Sequence, residues 1–360
     1  MVYRAIGIMS GSSLDGLDLV FASFDVSGSS WTYEILAADC YPYPPEWLQR
    51  LETATALPAG DYQQLHCDYG RYLGEQVNRF VETYQLHYKV QLVGSHGHTT
   101  FHRPESGMTH QLGDGAALAA TCGINVVSDL RSMDVALGGQ GAPIVPIGEK
   151  WLLGDFSWFL NIGGIANLSR NGDPYMAFDV CPANRVLNLL AATTGQPYDA
   201  GGATARSGQV HPGLLEQLSQ LPYYRQSPPK SLANSFGTDV VFPLLQTADL
   251  SAADSLCTYT EHIAQQVQQA IQVLPPVDGP ARLLVTGGGA FNTYLLERMR
   301  SLVPELELVV PDEQLVQYKE ALIMAFMAVL RWREENNVWH TVTGARRSSV
   351  GGAIWMGQDW

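Results

Sequence analysis

Apolar and polar positions follow two rhythms along the chain: short apolar runs closed by glycine, and longer stretches with a helical repeat. The run YRAIGIM (3–9) enters SGSSLDG (10–16) and leaves as LDLVFASFDV (17–26), which predicts strand, turn, strand. The order recurs in WFLNIGGIANLSRNGDPYMAFDV (158–180), where an apolar run meets a double-glycine turn and a second strand ends at Asp179. Each copy reads as a β-hairpin with a glycine-rich bend near the end of its first strand. Two such hairpins also arise by chance in a large α/β protein. The pattern further predicts a helix over 61–86, strands at VQLVGSH (90–96) and INVVSDL (124–130), and a helix over 183–195 with Val186, Leu187, Leu190 and Ala191 on one face. A long helix over 251–273 precedes ARLLVTGGGAFNTYLLERMRSL (281–302), a strand, three glycines and a helix. ALIMAFMAVL (321–330), the longest apolar run, is too short to span a bilayer and predicts a buried helix.

Strands and helices mixed from end to end predict an α/β class in two lobes. We place the lobes at 1–130 and 131–360, with the end of the chain packing back on the first. YYRQSPPKSLANSFG (223–237) is expected to be an exposed excursion of the second lobe. The 360 residues are 46% hydrophobic and 16% charged, ordinary for a globular protein, and suffice for two cores. A formal net charge of -14 argues against nucleic acid or an anionic membrane as partner, since both call for a basic surface. The apolar stretch after Arg4 is too short for a secretory signal. The odd number of cysteines, 5 without CxxC spacing, suits reduced thiols in a cytoplasm.

Three glycine-rich turns follow apolar strands: 10–16, 162–167 and 286–292. Glycines let backbone N–H groups approach an anion closely, so phosphate can be held without a lysine. Gly11 and Gly16 have the spacing that opens a Walker A loop, but Leu17 and Asp18 stand where Lys and Ser/Thr belong. In the third turn Asn292 stands where the last glycine of a dinucleotide fingerprint belongs. Asp15, Asp18 and Asp179 would face a shared cleft if the hairpins face each other; one carboxylate could hold Mg²⁺ through water and another deprotonate an attacking group. The structural alternatives are a turn residue capping its own backbone for Asp15 and a helix N-cap for Asp179. SHGHTTFH (95–102) sets His96, His98 and His102 after a strand, a start for a zinc hydrolase, though His110, His211, His262 and His340 lie in no supporting motif. Arg131, in DLRSMDVALGGQGAP (129–143), suits either a bidentate carboxylate grip or a surface ion pair with Asp129 or Asp134.

GIMSGSSLDGLD, GSHGHT, GGQGAPIVP, NIGGIAN, FDVCPAN, TGGGAFN and the late KEA and TGA together resemble, in order, the anhydro-N-acetylmuramic acid kinases. The resemblance implies the two-lobed actin-like (ribonuclease H-like) ATPase fold of the sugar kinase, Hsp70 and actin superfamily, with a central cleft. It implies ATP and Mg²⁺, a small anhydro-amino sugar as substrate, ring opening by water with phosphorylation of O6, and a cytoplasmic homodimer. Residue by residue, it makes Asp179 the catalytic base. Gly11, Ser12, Ser13, Leu14, Asp15, Gly16, Leu17 and Asp18 become the first phosphate loop, with Asp15 and Asp18 towards the metal. Gly163 and Gly164 match the second phosphate loop, and Gly287, Gly288, Gly289 and Asn292 the adenosine side. His96, His98, Arg131, Asn184 and Glu320 go to the sugar. The sequence departs from the family pattern Asp-Thr-Gly-Pro-Gly-Asn, reading Asp179, Val180, Cys181, Pro182, Ala183, Asn184. His98 replaces a usual Gln and Asn188 a usual acid. Alanine for glycine is acceptable only where φ is negative. The rival readings are a non-catalytic nucleotide switch of the same fold and a kinase for another sugar.

Overall fold

β1 (Val2–Ser10) buries Ala5, Ile6 and Ile8 completely, and a strand apolar on both faces needs cover on both. In the computed structural model, which describes residues 1–11, 14, 16–228, 230–233, 235–277 and 281–357, β1 lies inside a sheet. It pairs antiparallel with β2 (Leu17–Ser27), and β2 with β3 (Ser30–Tyr41). On its other side it pairs parallel with β4 (Leu92–Arg103), whose far end carries β5 (Met108–Leu112) folded back as a hairpin. β6 (Val126–Ser128) follows in parallel, and the C-terminal strand Ala353–Trp355 closes the edge. A parallel partner requires a crossover, and the helix Ala59–Thr83 supplies it, burying Leu65, Tyr69, Leu73, Val77 and Phe80 at helical spacing.

The other face is covered by the helix Glu313–Trp332, in which every residue of 321–330 is at most 2% exposed. Its closeness has a local cause. Gly7 and Gly94 are register partners on β1 and β4. A Cβ on Gly7 would stand 1.8 Å from the Ala321 carbonyl oxygen, and one on Gly94 2.3 Å from that of Met324. Two facing glycines thus make a bare seat on which helix backbone rests.

The segment from 158 repeats this plan. β7 (Trp158–Ile162) pairs antiparallel with β8 (Ile165–Arg170), and β8 with β9 (Met176–Pro182). On its other side β7 pairs parallel with β10 (Arg282–Thr286), then β11 (Glu307–Val309). The stretch 158–180 therefore holds three strands, not two, and Asp179 lies within the third. The break falls at Asn171–Pro174, where Asn, Gly, Asp and Pro supply turn chemistry. Between β9 and β10 run Asn184–Ala192, with Val186, Leu187, Leu190 and Ala191 buried, and Ala252–Gln272, which Ser251 caps.

The chain divides into unit 1, Met1–Leu153 with Tyr318–Trp360, and unit 2, Gly154–Gln317. The boundary falls after Leu153, beyond the expected 130. Residues 131–153 are bound into unit 1: Asp134 accepts from the Thr343 hydroxyl at 2.7 Å, and buried Lys319 donates to Glu149 at 2.8 Å. The segment 223–237 is also not a mere exposed excursion, because Tyr223 is buried and its neighbours bind Asp179. Among the described residues no helix is long and apolar enough to cross a membrane.

Candidate active site

In unit 1, β1 ends at Ser10, and its hydroxyl is a hub. Tyr43 and Tyr69 donate to it at 2.7 and 2.9 Å, and His98 Nδ1 lies 3.2 Å away. Burial pushes Tyr43 up to about 12 and Tyr69 well above the usual tyrosine range, so both stay protonated donors. Burial also lowers His98 to about 4, leaving a neutral imidazole at pH 7. Beyond this hub lies the first glycine loop. Ser12, Ser13 and Asp15 lie outside the described residues. Leu14 has φ +58°, and its N–H donates to Gly11 O at 3.3 Å. Leu17 is fully buried in the core, so its side chain is structural. Half-buried Asp18 stands opposite Met9 and Cys40 in the sheet, and its charge adds to burial in raising Tyr43 and Tyr318.

His96, two residues earlier on β4, is buried, and burial with the adjacent Arg131 charge lowers it to about 3. Its Nε2 accepts from Arg131 Nε at 2.9 Å, while Nδ1 meets Gly97 O at 2.8 Å. Arg131 Nη1 donates to Gly141 O at 2.6 Å. Burial lowers Arg131 to about 10, with Glu320 and Asp134 opposing, so it stays cationic at neutral pH. Asp134 anchors the turn instead, accepting from Gly141 N–H at 2.8 Å. Arg131 is thus held between His96 and a glycine turn rather than in a surface ion pair. The zinc reading loses its ligands here, since His96 Nε2 already faces a cation. Among the described residues no three His, Cys, Asp or Glu gather for a metal. A cavity of about 190 Å³ adjoins, lined by His66, Ser95, His96, Asp114, Asp129 and Trp355 among others. Ser95 Oγ is buried there with no protein partner.

In unit 2 two glycine turns lie side by side, because β7 and β10 are parallel neighbours that end together at Asn161 and Thr286. Ligands of open α/β sheets gather at such carboxyl ends. Gly287 has φ +79°, and a Cβ there would stand 2.7 Å from Asn161 Oδ1. A Cβ on Gly289 would stand 2.2 Å from Ile162 Cγ2. Gly288 opens the short turn to Phe291. Asn292 caps the next helix, its Oδ1 accepting from Leu295 N–H at 3.0 Å. Gly163 and Gly164 are laced to the start of Asn184–Ala192: Asn184 N–H donates to Gly163 O at 3.0 Å and Ala183 N–H to Gly164 O at 2.8 Å. Asn184 Nδ2 donates to Ile162 O at 3.0 Å, which ties the turn rather than reaching for a ligand. Ala183, in place of the family glycine, has φ -130°, outside the left-handed region that calls for glycine. Arg185 packs against Gly164, and its Nε is buried without a partner among the described residues.

Asp179 is half-buried on β9. Asn167 Nδ2 donates to Oδ1, and Leu232 N–H donates to Oδ2 at 2.7 Å. Its main chain is held as well, by Lys230 O at 3.0 Å and the Tyr223 hydroxyl at 2.6 Å. Burial raises its pKa above the usual carboxylate value, and the two donors work against that. The N-cap position of the next helix is Ala183, so Asp179 is no cap. Asn161, Asn167, Leu232, Arg185 and the Ser10 hub were not singled out from the sequence; a polar residue inside a predicted apolar strand was the available signal for Asn161 and Asn167.

Each unit lays a three-strand antiparallel meander beside two further parallel strands, in the order β3-β2-β1-β4-β6 in unit 1 and β9-β8-β7-β10-β11 in unit 2, the arrangement of the duplicated ribonuclease H-like fold of actin-like ATPases and sugar kinases. The family model described as anhydro-N-acetylmuramic acid kinase matches residues 3–357. A relative of that name from Synechococcus elongatus is 35% identical, covering 98% of this chain and 99% of its own. Another from Variovorax paradoxus is 36% identical, covering 97% and 98%. Among solved structures, the activator of the 2-hydroxyisocaproyl-CoA dehydratase from Clostridium difficile with bound ADPNP aligns at 14% identity, covering 92% of this chain and 96% of its own, with a TM-score of 0.45. The chain belongs to the anhydro-N-acetylmuramic acid kinase family.

Proposed function

We propose that the protein phosphorylates 1,6-anhydro-N-acetylmuramic acid, a small anhydro-amino sugar of cell-wall recycling, with hydrolytic opening of its internal ring. Water adds at C1 and gives its proton to Asp179. The C1–O6 bond breaks, and O6 takes the γ-phosphoryl group of ATP, whose bond to the ADP oxygen breaks. The products are N-acetylmuramic acid 6-phosphate and ADP. The observation that carries this reading is Asp179: a half-buried carboxylate with raised proton affinity, oriented by Asn167 and Leu232. Raised affinity makes it a better base.

The nucleotide fits unit 2 on two grounds. Gly287 and Gly289 leave backbone that a Cβ would block, and the unpartnered Arg185 Nε beside Gly164 suits an anionic oxygen. Asp15 and Asp18 have the hard oxygen donors that would hold Mg²⁺, which when bound offsets charge on the phosphates. We assign His96, His98, Arg131 and Glu320 to the sugar. Arg131 makes two of its five possible donations within the protein, leaving donors for a carboxylate. Asn184, whose Nδ2 holds Ile162 O, is reassigned to the glycine turn. The cytoplasmic homodimer belongs to the same proposal.

The test is to incubate the protein with Mg-ATP and the anhydro sugar and weigh the product by mass spectrometry. A gain of one phosphate and one water supports the reading. ATP consumed without that product redirects it to another sugar, and no ADP above the sugar-free control overturns it.

A further inference from the structure

β8 and β9 set Asn167 directly opposite Asp179, and their register then breaks, the next pair being Ala166 with Cys181. Val180 is therefore an extra residue on β9, a bulge of the kind that re-aims side chains beside active groups. Directly opposed residues of an antiparallel pair share a face, and here the Asn167 amide meets Oδ1 of Asp179. The other attachments of Asp179 come from the main chain of Lys230 and Leu232 and from the Tyr223 hydroxyl. Among the described residues, Leu232 N–H is the one of these that touches the carboxylate, on Oδ2.

We propose that Asn167 is the positioning residue of the base, fixing the rotation of the Asp179 carboxylate and holding it ionised. This rests on the reading of Asp179 as base. Each carboxylate oxygen has two acceptor sites. The amide takes one on Oδ1, so the carboxylate plane is set and the other site is left for the proton of the attacking water. Donation to the anion favours ionisation and opposes burial, which pushes this carboxyl upward. An amide does not titrate, so it does this at every working pH.

The experiment is the pH profile of kcat/KM with Mg-ATP and 1,6-anhydro-N-acetylmuramic acid for the native protein, Asn167→Ala and Asn167→Asp. In Asn167→Ala the acid limb should move up by about one pH unit, with the KM of the sugar unchanged. In Asn167→Asp, which keeps the shape but sets two carboxyls face to face, it should move further. Melting temperatures report the fold, and if the alanine variant fails to fold the near-isosteric Asp variant carries the test. A kcat/KM that falls equally at all pH, with the limb unmoved, overturns the proposal. Asp179→Asn run in parallel separates the two ideas. Retained turnover there removes the base itself, whereas lost turnover with an unmoved limb in the Asn167 variants removes only the role given to Asn167.

Discussion

The two units share a strand order but not a chemistry. Unit 1 seats a helix on bare backbone at Gly7 and Gly94 and gathers neutral imidazoles, tyrosines and an arginine around the end of β1 and the middle of β4. In unit 2 the central parallel pair carries large side chains, Leu160 opposite Val285, both fully buried. Its polar groups are glycine turns, the side-chain amides of Asn167 and Asn184, Arg185 and one carboxylate. A duplicated topology thus fixes where strand ends lie, while the residues at those ends decide what each unit can hold.

The largest effect should come from unit 2. Asp179→Asn should lower kcat by about 10²–10⁴ while melting temperature and nucleotide affinity persist; near-native steady-state turnover would remove the contrast in roles. Next is the seat in unit 1. Gly7→Val drives its Cβ into helix backbone that cannot step aside. It should cost about 3 kcal/mol or more in urea unfolding, with hydrogen exchange rising across unit 1. Unchanged stability would mean the seat is not a constraint. The hub of unit 1 gives a smaller and pH-dependent effect. His98 titrates near 6.5 when unfolded and about 4 when folded, so the unfolded chain binds more protons across that window. Stability is full above it and falls as pH drops through it, by about 3 kcal/mol at most. His98→Gln should therefore lose less melting temperature between pH 7 and pH 4.5 than the native protein; an equal loss would show that the hub is not acid-sensitive through His98. Smallest is Arg185→Met, expected to weaken ATP binding by about 1–2 kcal/mol in calorimetry with sugar affinity unchanged.

Elements with strong local pattern were legible in the sequence: the first hairpin, the glycine bend of the second, the helix Ala59–Thr83, the capped helix Ala252–Gln272 and the buried run 321–330. β5 and the edge strand Ala353–Trp355 were not, because short strands are defined by partners rather than by period. The glycine turns and Asp179 stood out as residue types in a suggestive order. Their supports did not. Ser10 meets Tyr43, Tyr69 and His98 across 33, 59 and 88 residues, and Leu232 meets Asp179 across 53. Contacts at such separations leave no periodic trace. A Pro- and Ser-containing segment looks solvated until its backbone is seen to hold a carboxylate.

The paired glycine seat also bears on synthesis. Unit 2 is one continuous stretch, whereas unit 1 needs residues from either side of it, since the helix that rests on Gly7 and Gly94 is completed only after unit 2 has been made. Domains tend to fold as their sequence leaves the ribosome, N-terminal parts first. Here that order is inverted: strands made before unit 2 must wait for a helix completed after it, and unit 2 can be finished before unit 1.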